Sequence, residues 1–303
     1  MKILVFSEDT AAVPELCSGA NTLGKCTAVL LGNRVDAEAV AKYAAKVIYL
    51  GQKADDAMVE DYVPALAEIV KEEAPQLILL QTSRRARCIA GRLCVLVDGM
   101  VCPDAISVGV EADCLVGSRM VFGGVAATRV RSTGGPMIAL VSAGSYDVSE
   151  RGEAGEFVER PVLPLSQGVR MVKTEPKQEE RVNLTAAKRI IGVGRGIGSP
   201  ENIALAEQLG EKIGAELGCS RPVAEGEHWM AANRYIGVSG QTVKPDIYLA
   251  VGISGQVQHM VGINKSKTIF AINKDKAAPI FAKCDYGIVG DAMKILPELI
   301  AKL

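Results

Sequence analysis

The stretch Arg189-Ile190-Ile191-Gly192-Val193-Gly194-Arg195-Gly196-Ile197-Gly198-Ser199-Pro200-Glu201 passes from an apolar run, through alternate glycines, into a segment of helical period. β-Branched residues, then a glycine-rich turn, then a Ser-Pro start describe a strand, a loop and a helix. Ser199 suits the cap and Pro200 the first helical position, so the free N–H groups and positive dipole end of the helix are expected to face the loop. That makes an anion site, to which Arg195 adds a bidentate donor for phosphate. A tight turn that needs glycine only for its backbone angles would use the same residues without a ligand.

Three similar units follow downstream. The helix opened by Pro200 is expected to run to Leu217. Strand Ile247–Val251 leads to Gly252-Ile253-Ser254-Gly255 and a helix over Gln256–Val261. Strand Thr268–Ile272 leads to Asn273-Lys274-Asp275, and Tyr286–Val289 leads to Gly290-Asp291 and a closing helix. The succession predicts a doubly wound parallel sheet with ligands at the carboxyl ends of the strands, where the strand order switches. The usual nicotinamide fingerprint is missing. Ile197 stands where G-x-G-x-x-G needs its third glycine, and Gly218-Cys219-Ser220-Arg221 carries no acidic residue for a ribose.

Upstream, Lys2–Phe6, Thr27–Leu31, Val47–Leu50 and Leu77–Leu80 are strand-like and alternate with Ala- and Glu-rich helical stretches. This rhythm predicts a parallel sheet with helices on its faces. From Ile106 the runs become shorter and richer in β-formers. Leu115–Phe122, Val125–Arg131 and Met137–Val141, with turns at Gly123-Gly124 and Gly134-Gly135, are expected as added antiparallel strands. The polar segment Lys173–Arg181 lacks apolar periodicity and contains Pro176. It places a boundary between an N-terminal α/β domain, residues 1–183, and a C-terminal domain, residues 184–303; a long surface loop inside one domain is the alternative.

Composition narrows the function. The chain has 303 residues, 49% of them hydrophobic, and Lys+Arg 34 against Asp+Glu 35 leaves a net charge of -1. No cationic excess is available for nucleic acid or an anionic membrane. The N-terminal segment lacks the features of a signal peptide and no window reaches about 18 apolar residues, so a cytoplasmic protein without membrane insertion is expected. Eight scattered cysteines without a C-x-x-C pair, and only two histidines, argue against a metal site; the thiols are expected to be small buried hydrophobes in a reducing compartment.

Two further loops carry candidate ligands. Ser220-Arg221-Pro222 offers a hydroxyl and a guanidinium at a strand end, equally suited to a solvated surface. In Gly252–His259, the glycines admit close backbone approach, Ser254 is a candidate helix cap, and Gln258 and His259 add polar groups. A lone histidine on a helix is more often structural; here the crowd of polar residues at a strand end favours a ligand.

Gly194-Arg-Gly196, Ser220-Arg221, Gly252-Ile-Ser-Gly-Gln-Val-Gln-His259, Ala271-Ile-Asn-Lys-Asp275, Ala278-Pro-Ile-Phe281 and Asp285-Tyr-Gly-Ile-Val-Gly-Asp291 occur in that order. Together they resemble the FAD domain of the electron transfer flavoprotein alpha subunit, specifically over Leu184–Leu303 and by strand rhythm before it. The resemblance implies non-covalent FAD. Arg195 and Gly196 lie near its pyrophosphate. Ser220 and Arg221 reach the cofactor, the arginine beside the flavin. Ile236, Gly237, Val238 and Ser239 run along the isoalloxazine, with the Ser239 hydroxyl near its reactive N5 nitrogen. Ser254, Gly255, Gln256, Val257 and Gln258 hold ribityl and phosphate groups, and His259 the pyrimidine edge. Asn273 and Asp291, with Ala292 beside it, hold the adenosine half; Asp291 is also a candidate cap for the last helix.

The flavin loop departs from the family. Gly237-Val238-Ser239-Gly240-Gln241 stands where Gly-Gln-Thr/Ser-Gly-Lys is usual, as in the branch associated with carnitine metabolism and nitrogen fixation. The resemblance further implies an electron carrier with no catalytic residue of its own, and a heterodimer with a beta subunit. Its electrons would come from flavin dehydrogenases of the acyl-CoA type, or from a nicotinamide donor in a bifurcating member, and pass to an acceptor such as a quinone reductase or a ferredoxin-type protein. Two rivals are a free-standing nicotinamide- or acyl-CoA-dependent flavin oxidoreductase on the same fold, and a nucleotide-binding partner without redox activity. An enzyme needs a positioned acid or base, and near neutral pH the candidates are His228 and His259. His228, before Trp229, is expected in a surface loop or at a partner contact.

Overall fold

The computed structural model describes residues 1–122, 126–165, 168–175 and 182–303. The chain divides into two compact units, Met1–Glu175 and Pro176–Leu303. The expected turn at Gly123-Gly124, the first residue of the run from Val125, and 176–181 of the polar linker lie outside the described residues.

In the first unit, β1 (Lys2–Phe6), β2 (Lys25–Leu30), β3 (Lys46–Tyr49), β4 (Leu77–Gln81), β5 (Met100–Glu111), β6 (Cys114–Val121), β7 (Ala126–Arg131), β8 (Met137–Val141) and β9 (Glu156–Glu159) form one sheet. Its order is β7-β6-β5-β8-β4-β1-β2-β3-β9. Strands buried on both faces read as continuous apolar runs because each alternate residue meets a different helical layer. Ile3 and Val5 join the core containing Val13, Leu16 and Cys17 of α1 (Val13–Asn21). Leu4 and Phe6 join the opposite core with Leu66 and Ile69 of α3 (Val63–Glu73) and Ile89 and Leu93 of α4 (Arg84–Leu96). Ala37 of the short α2 (Arg34–Ala39) belongs to the first core.

The antiparallel expectation holds for β6 and β7, with β5 an unexpected third antiparallel strand beside β6, and fails for Met137–Val141. That strand, β8, lies parallel between β4 and β5. The start of β5 is not visible in the sequence pattern because Pro103 interrupts its run. The strand accommodates it with a register shift between Cys102 and Ala105 and with Asp104 at φ 51°. A bulge at an interrupted position is the ordinary solution.

The second unit is a five-stranded parallel sheet of β10 (Arg189–Val193), β11 (Glu216–Cys219), β12 (Ile247–Val251), β13 (Thr268–Asn273) and β14 (Tyr286–Val289), ordered β11-β10-β12-β13-β14. Helices α5 (Ile203–Ile213) and α7 (Ala292–Lys302) share one core with Ile191, Val193, Val251 and Ile272. Met260 and Ile263 of α6 (Val257–Ile263) pack with Ile190, Tyr248, Ala250 and Ala271 on the other face. Burying each such aliphatic side chain contributes about 1.5–3 kcal/mol, which fixes which face each helix covers.

The helix expected over Pro200–Leu217 is shorter. It opens with a 3-10 turn at Pro200–Asn202 and stops at Ile213, where Gly214 takes the left-handed conformation, φ 62°. Glycine at that position ends a helix without a Cβ penalty. Residues 216–219 are thereby released to pair with β10. The chain leaves β10 for β11 on one side and returns to β12 on the other, so the strand order reverses between β10 and β12.

Candidate functional site

Loops after β10 and β12 meet at that reversal. The Gly194 N–H donates to Val251 O at 2.8 Å and the Gly196 N–H to Gly252 O at 3.0 Å. A Cβ on Gly196 would stand 2.6 Å from Gly252 Cα, and one on Gly194 would stand 2.7 Å from Gly252 C. Two backbones in direct contact leave no room for a side chain, so the glycines are needed for the approach itself. Arg195 is exposed beside this seam. Ser199 occupies the cap position, but its side chain makes no cap hydrogen bond; it binds the Glu201 carboxylate and lowers the carboxyl pKa.

At the end of β11, Ser220 is buried, its N–H donating to Val193 O at 2.9 Å. Arg221 is exposed and pairs with Glu225, Nε to Oε2 2.6 Å, across one turn of the irregular helix Pro222–Gly226. Its partner was not foreseen from the sequence.

The loop expected to follow a flavin ring is held from two sides. The Ile236 N–H donates to Cys219 O at 2.9 Å, and the Val238 N–H donates to Gln258 O in α6 at 2.9 Å. Ile236 and Gly237 are buried and Val238 and Ser239 exposed. Tyr235 Oη lies 2.5 Å from Ser239 Oγ, and Gln241 Nε2 donates to Asn233 O at 2.5 Å. Ser239 thus has a fixed orientation that only the structure reveals. Burial pushes the nearby Cys219 thiol up to about 12, against the opposing charge of Arg234, and keeps it protonated.

Ser254 is not the helix cap expected; α6 begins after Gln256. The Ser254 carbonyl instead accepts from the Ile280 N–H at 3.0 Å, with Gly255 buried beside that contact. Ser254, Gln256, Val257 and Gln258 present exposed side chains. His259 is 7% exposed, its Nε2 2.9 Å from Tyr248 Oη and its Nδ1 buried with no well-formed hydrogen bond. Burial lowers its pKa to about 4, although a weak hydrogen bond with the Ile236 backbone, short of good geometry, acts in the opposite direction. Tyr248 was missed; its one sequence signal is a phenol inside the apolar strand Ile247–Val251.

Asn273 spends its side chain within the loops, donating to Ile253 O at 2.9 Å and accepting from Asp275 N at 3.0 Å. Asp291 Oδ1 accepts from Met293 N at 3.0 Å and caps α7, while Ala292 is the buried first residue of that helix. From Arg221, two residues past β11, to Asp291, two past β14, the candidates follow the carboxyl edge of the whole sheet. Four strand steps of about 4.8 Å span roughly 19 Å, which suits an elongated dinucleotide. The glycine seam, the exposed polar groups and the buried Nδ1 are compatible with FAD.

Among the described residues no group of three or more His, Cys, Asp or Glu could hold a metal ion. Nor, among them, is any helix long and apolar enough to cross a membrane. All eight cysteines are free, but the expectation that they are buried holds only for Cys17, Cys26, Cys102 and Cys219; Cys88 is exposed and Cys94, Cys114 and Cys284 are half-buried. His228 is exposed, with φ 56°.

Residues 183–264 match the model of the electron transfer flavoprotein FAD-binding domain, and residues 5–164 match that of the electron transfer flavoprotein domain. Protein FixB of Escherichia coli O127:H6 (strain E2348/69 / EPEC) is 44% identical over 306 residues, covering 100% of this chain and 98% of that protein. Protein FixB of Escherichia coli O157:H7 and of Shigella flexneri are similar to the same extent, each 44% identical with 100% and 98% coverage.

Proposed function

Because the chain belongs to the electron transfer flavoprotein family, as an alpha subunit, we propose that it takes electrons from flavin dehydrogenases of the acyl-CoA type and passes them to a quinone reductase or a ferredoxin-type acceptor. The family are electron carriers whose alpha subunit pairs with a beta subunit, and this chain has the FAD-binding domain. Its functional division falls between residues 183 and 184. Bound FAD supplies the redox chemistry; the protein binds it, orients it and sets its surroundings.

In this reading Arg195 and Gly196 hold the pyrophosphate beside the glycine seam. Ser220 and Arg221 reach the flavin half, and Ile236, Gly237, Val238 and Ser239 line the ring, with the hydroxyl of Ser239 steadied by Tyr235. Ser254, Gly255, Gln256, Val257 and Gln258 hold the ribityl and phosphate groups, and His259 the pyrimidine edge. Asn273, Asp291 and Ala292 receive the adenosine half. The observation that carries the assignment is the buried Nδ1 of His259, without a well-formed hydrogen bond, in the helix that adjoins the switch-point loops. A buried polar atom without a partner is costly unless a ligand satisfies it.

A carrier role without substrate chemistry of its own is supported by the same residue. A general base works best with a pKa near the operating pH, and His259 at about 4 is held neutral. Ile106 and Val110 on β5 and Met120 on β6 are exposed, as is Phe122, and exposed apolar side chains on one hairpin suit packing of the first unit against the beta subunit. A cytoplasmic setting agrees with the free, exposed thiol of Cys88. Val238 and Gln241, in place of the more usual glutamine and lysine, support the branch tied to carnitine metabolism.

Stopped-flow reduction of the complex with its beta subunit tests the role. A reduced acyl-CoA dehydrogenase should bleach the flavin absorbance while acyl-CoA alone or NADH alone does not. Direct bleaching by acyl-CoA without the dehydrogenase would establish the enzyme reading in its place.

A further inference from the structure

Tyr248 has no part in the assignment above, yet it is among the most constrained residues of the unit. Its side chain is 0% exposed in the central strand β12. Its hydroxyl lies so close to Gly192 of β10 that a Cβ there would collide with it. A buried phenol must find an acceptor for its single proton, and His259 Nε2 at 2.9 Å is its hydrogen-bond partner.

Burial raises the pKa of the phenol and lowers that of the imidazole, so both groups are neutral near pH 7. A neutral imidazole carries one N–H. If Nε2 carried it, the phenolic proton would be buried without an acceptor, and Nδ1, beside the Ile236 backbone, would be a buried acceptor without a donor, both of them costly. If Nε2 accepts from Tyr248, the phenol is satisfied and the imidazole proton sits on Nδ1. We propose that Tyr248 is a positioning residue that holds His259 as the Nδ1–H tautomer, so that Nδ1 donates a hydrogen bond to a carbonyl oxygen of the bound flavin. This rests on the FAD reading of the site. Such a donor strengthens as electron density on the carbonyl rises, so it favours the reduced cofactor.

The chain has two histidines, which makes the imidazole directly observable. Ring-15N histidine NMR of the complex with its beta subunit is recorded with and without FAD, and the signal lost in His259→Gln is assigned to His259. Expected is a protonated, pyrrole-like Nδ1 and an unprotonated, pyridine-like Nε2. In Tyr248→Phe the imidazole should lose this single tautomer, and the ratio of reduced to oxidised FAD at a fixed potential should fall at least threefold while FAD content is kept. A pyridine-like Nδ1 in the unaltered protein overturns the proposal, whatever the variant does. So does a Tyr248→Phe protein that keeps both tautomer and potential. FAD content is measured separately: a complex that binds no FAD refutes the site, while the FAD-free spectrum still decides whether Tyr248 sets the tautomer.

Discussion

Protonated His259 is costly in the folded chain because burial strips its solvent without supplying a charged partner. Its pKa of about 4 lies below the ordinary 6.5, so between those values the unfolded chain binds a proton that the folded chain refuses. Stability from this group is therefore complete above pH 6.5 and lost as pH falls toward 4, by up to about 3 kcal/mol. Urea unfolding at pH 7 and pH 4.5 should show a smaller acid loss in His259→Gln than in the unaltered chain; equal losses would mean that the histidine does not titrate this way. Arg221 and Glu225 give an electrical test of the proposed site. The two charges oppose each other at a nearby flavin, and deleting either leaves the other unbalanced, so Arg221→Ala should lower the flavin potential and Glu225→Gln should raise it, each by on the order of tens of mV. Shifts of the same sign in both variants would remove Arg221 from the flavin's neighbourhood.

Turns and strand ends carry the predictions at the scale of elements. Gly194→Ala drives a Cβ into the Gly252 backbone, which cannot yield as a flexible side chain would. It should cost about 1–3 kcal/mol in unfolding free energy and weaken FAD retention; an unchanged denaturation midpoint would show that the seam relaxes freely. Asp291 separates capping from ligand binding. Asp291→Ala should lose about 1 kcal/mol of helix stability, whereas Asp291→Asn keeps a good cap and removes the charge. Weaker FAD binding in Asp291→Asn, read by fluorescence titration, supports a ligand role, and unchanged binding leaves only the cap. Strands such as Lys2–Phe6 and Arg189–Val193 were legible because both their faces are buried and their apolar runs are unbroken. The start of β5 was hidden by Pro103, and the direction of β8 depends on partners remote in sequence. The loops of the site were legible from their glycines and polar residues, while the Tyr248–His259, Tyr235–Ser239 and Arg221–Glu225 pairs were not. Arg221–Glu225 has i,i+4 helical spacing but follows a strand end where no helix was expected, and the two tyrosine pairs, 4 and 11 residues apart, meet through loop and strand geometry that no periodicity encodes.

For the whole molecule, a net charge of -1 gives no broad electrostatic attraction to a partner, so assembly with the beta subunit must rest on matched apolar and polar surface. Binding that involves only the folded state stabilises it by linkage, so co-expression with the beta subunit should raise both the melting temperature and the FAD retained after gel filtration. An isolated chain that holds FAD equally well would show that its site is complete alone. The most direct measurement denatures the purified complex and identifies the cofactor released, by chromatography and absorbance. The account predicts a single FAD for each chain, freed without proteolysis because it is not covalently attached. Recovery of a nicotinamide nucleotide alone, or a protein that remains colourless after incubation with FAD, would contradict it.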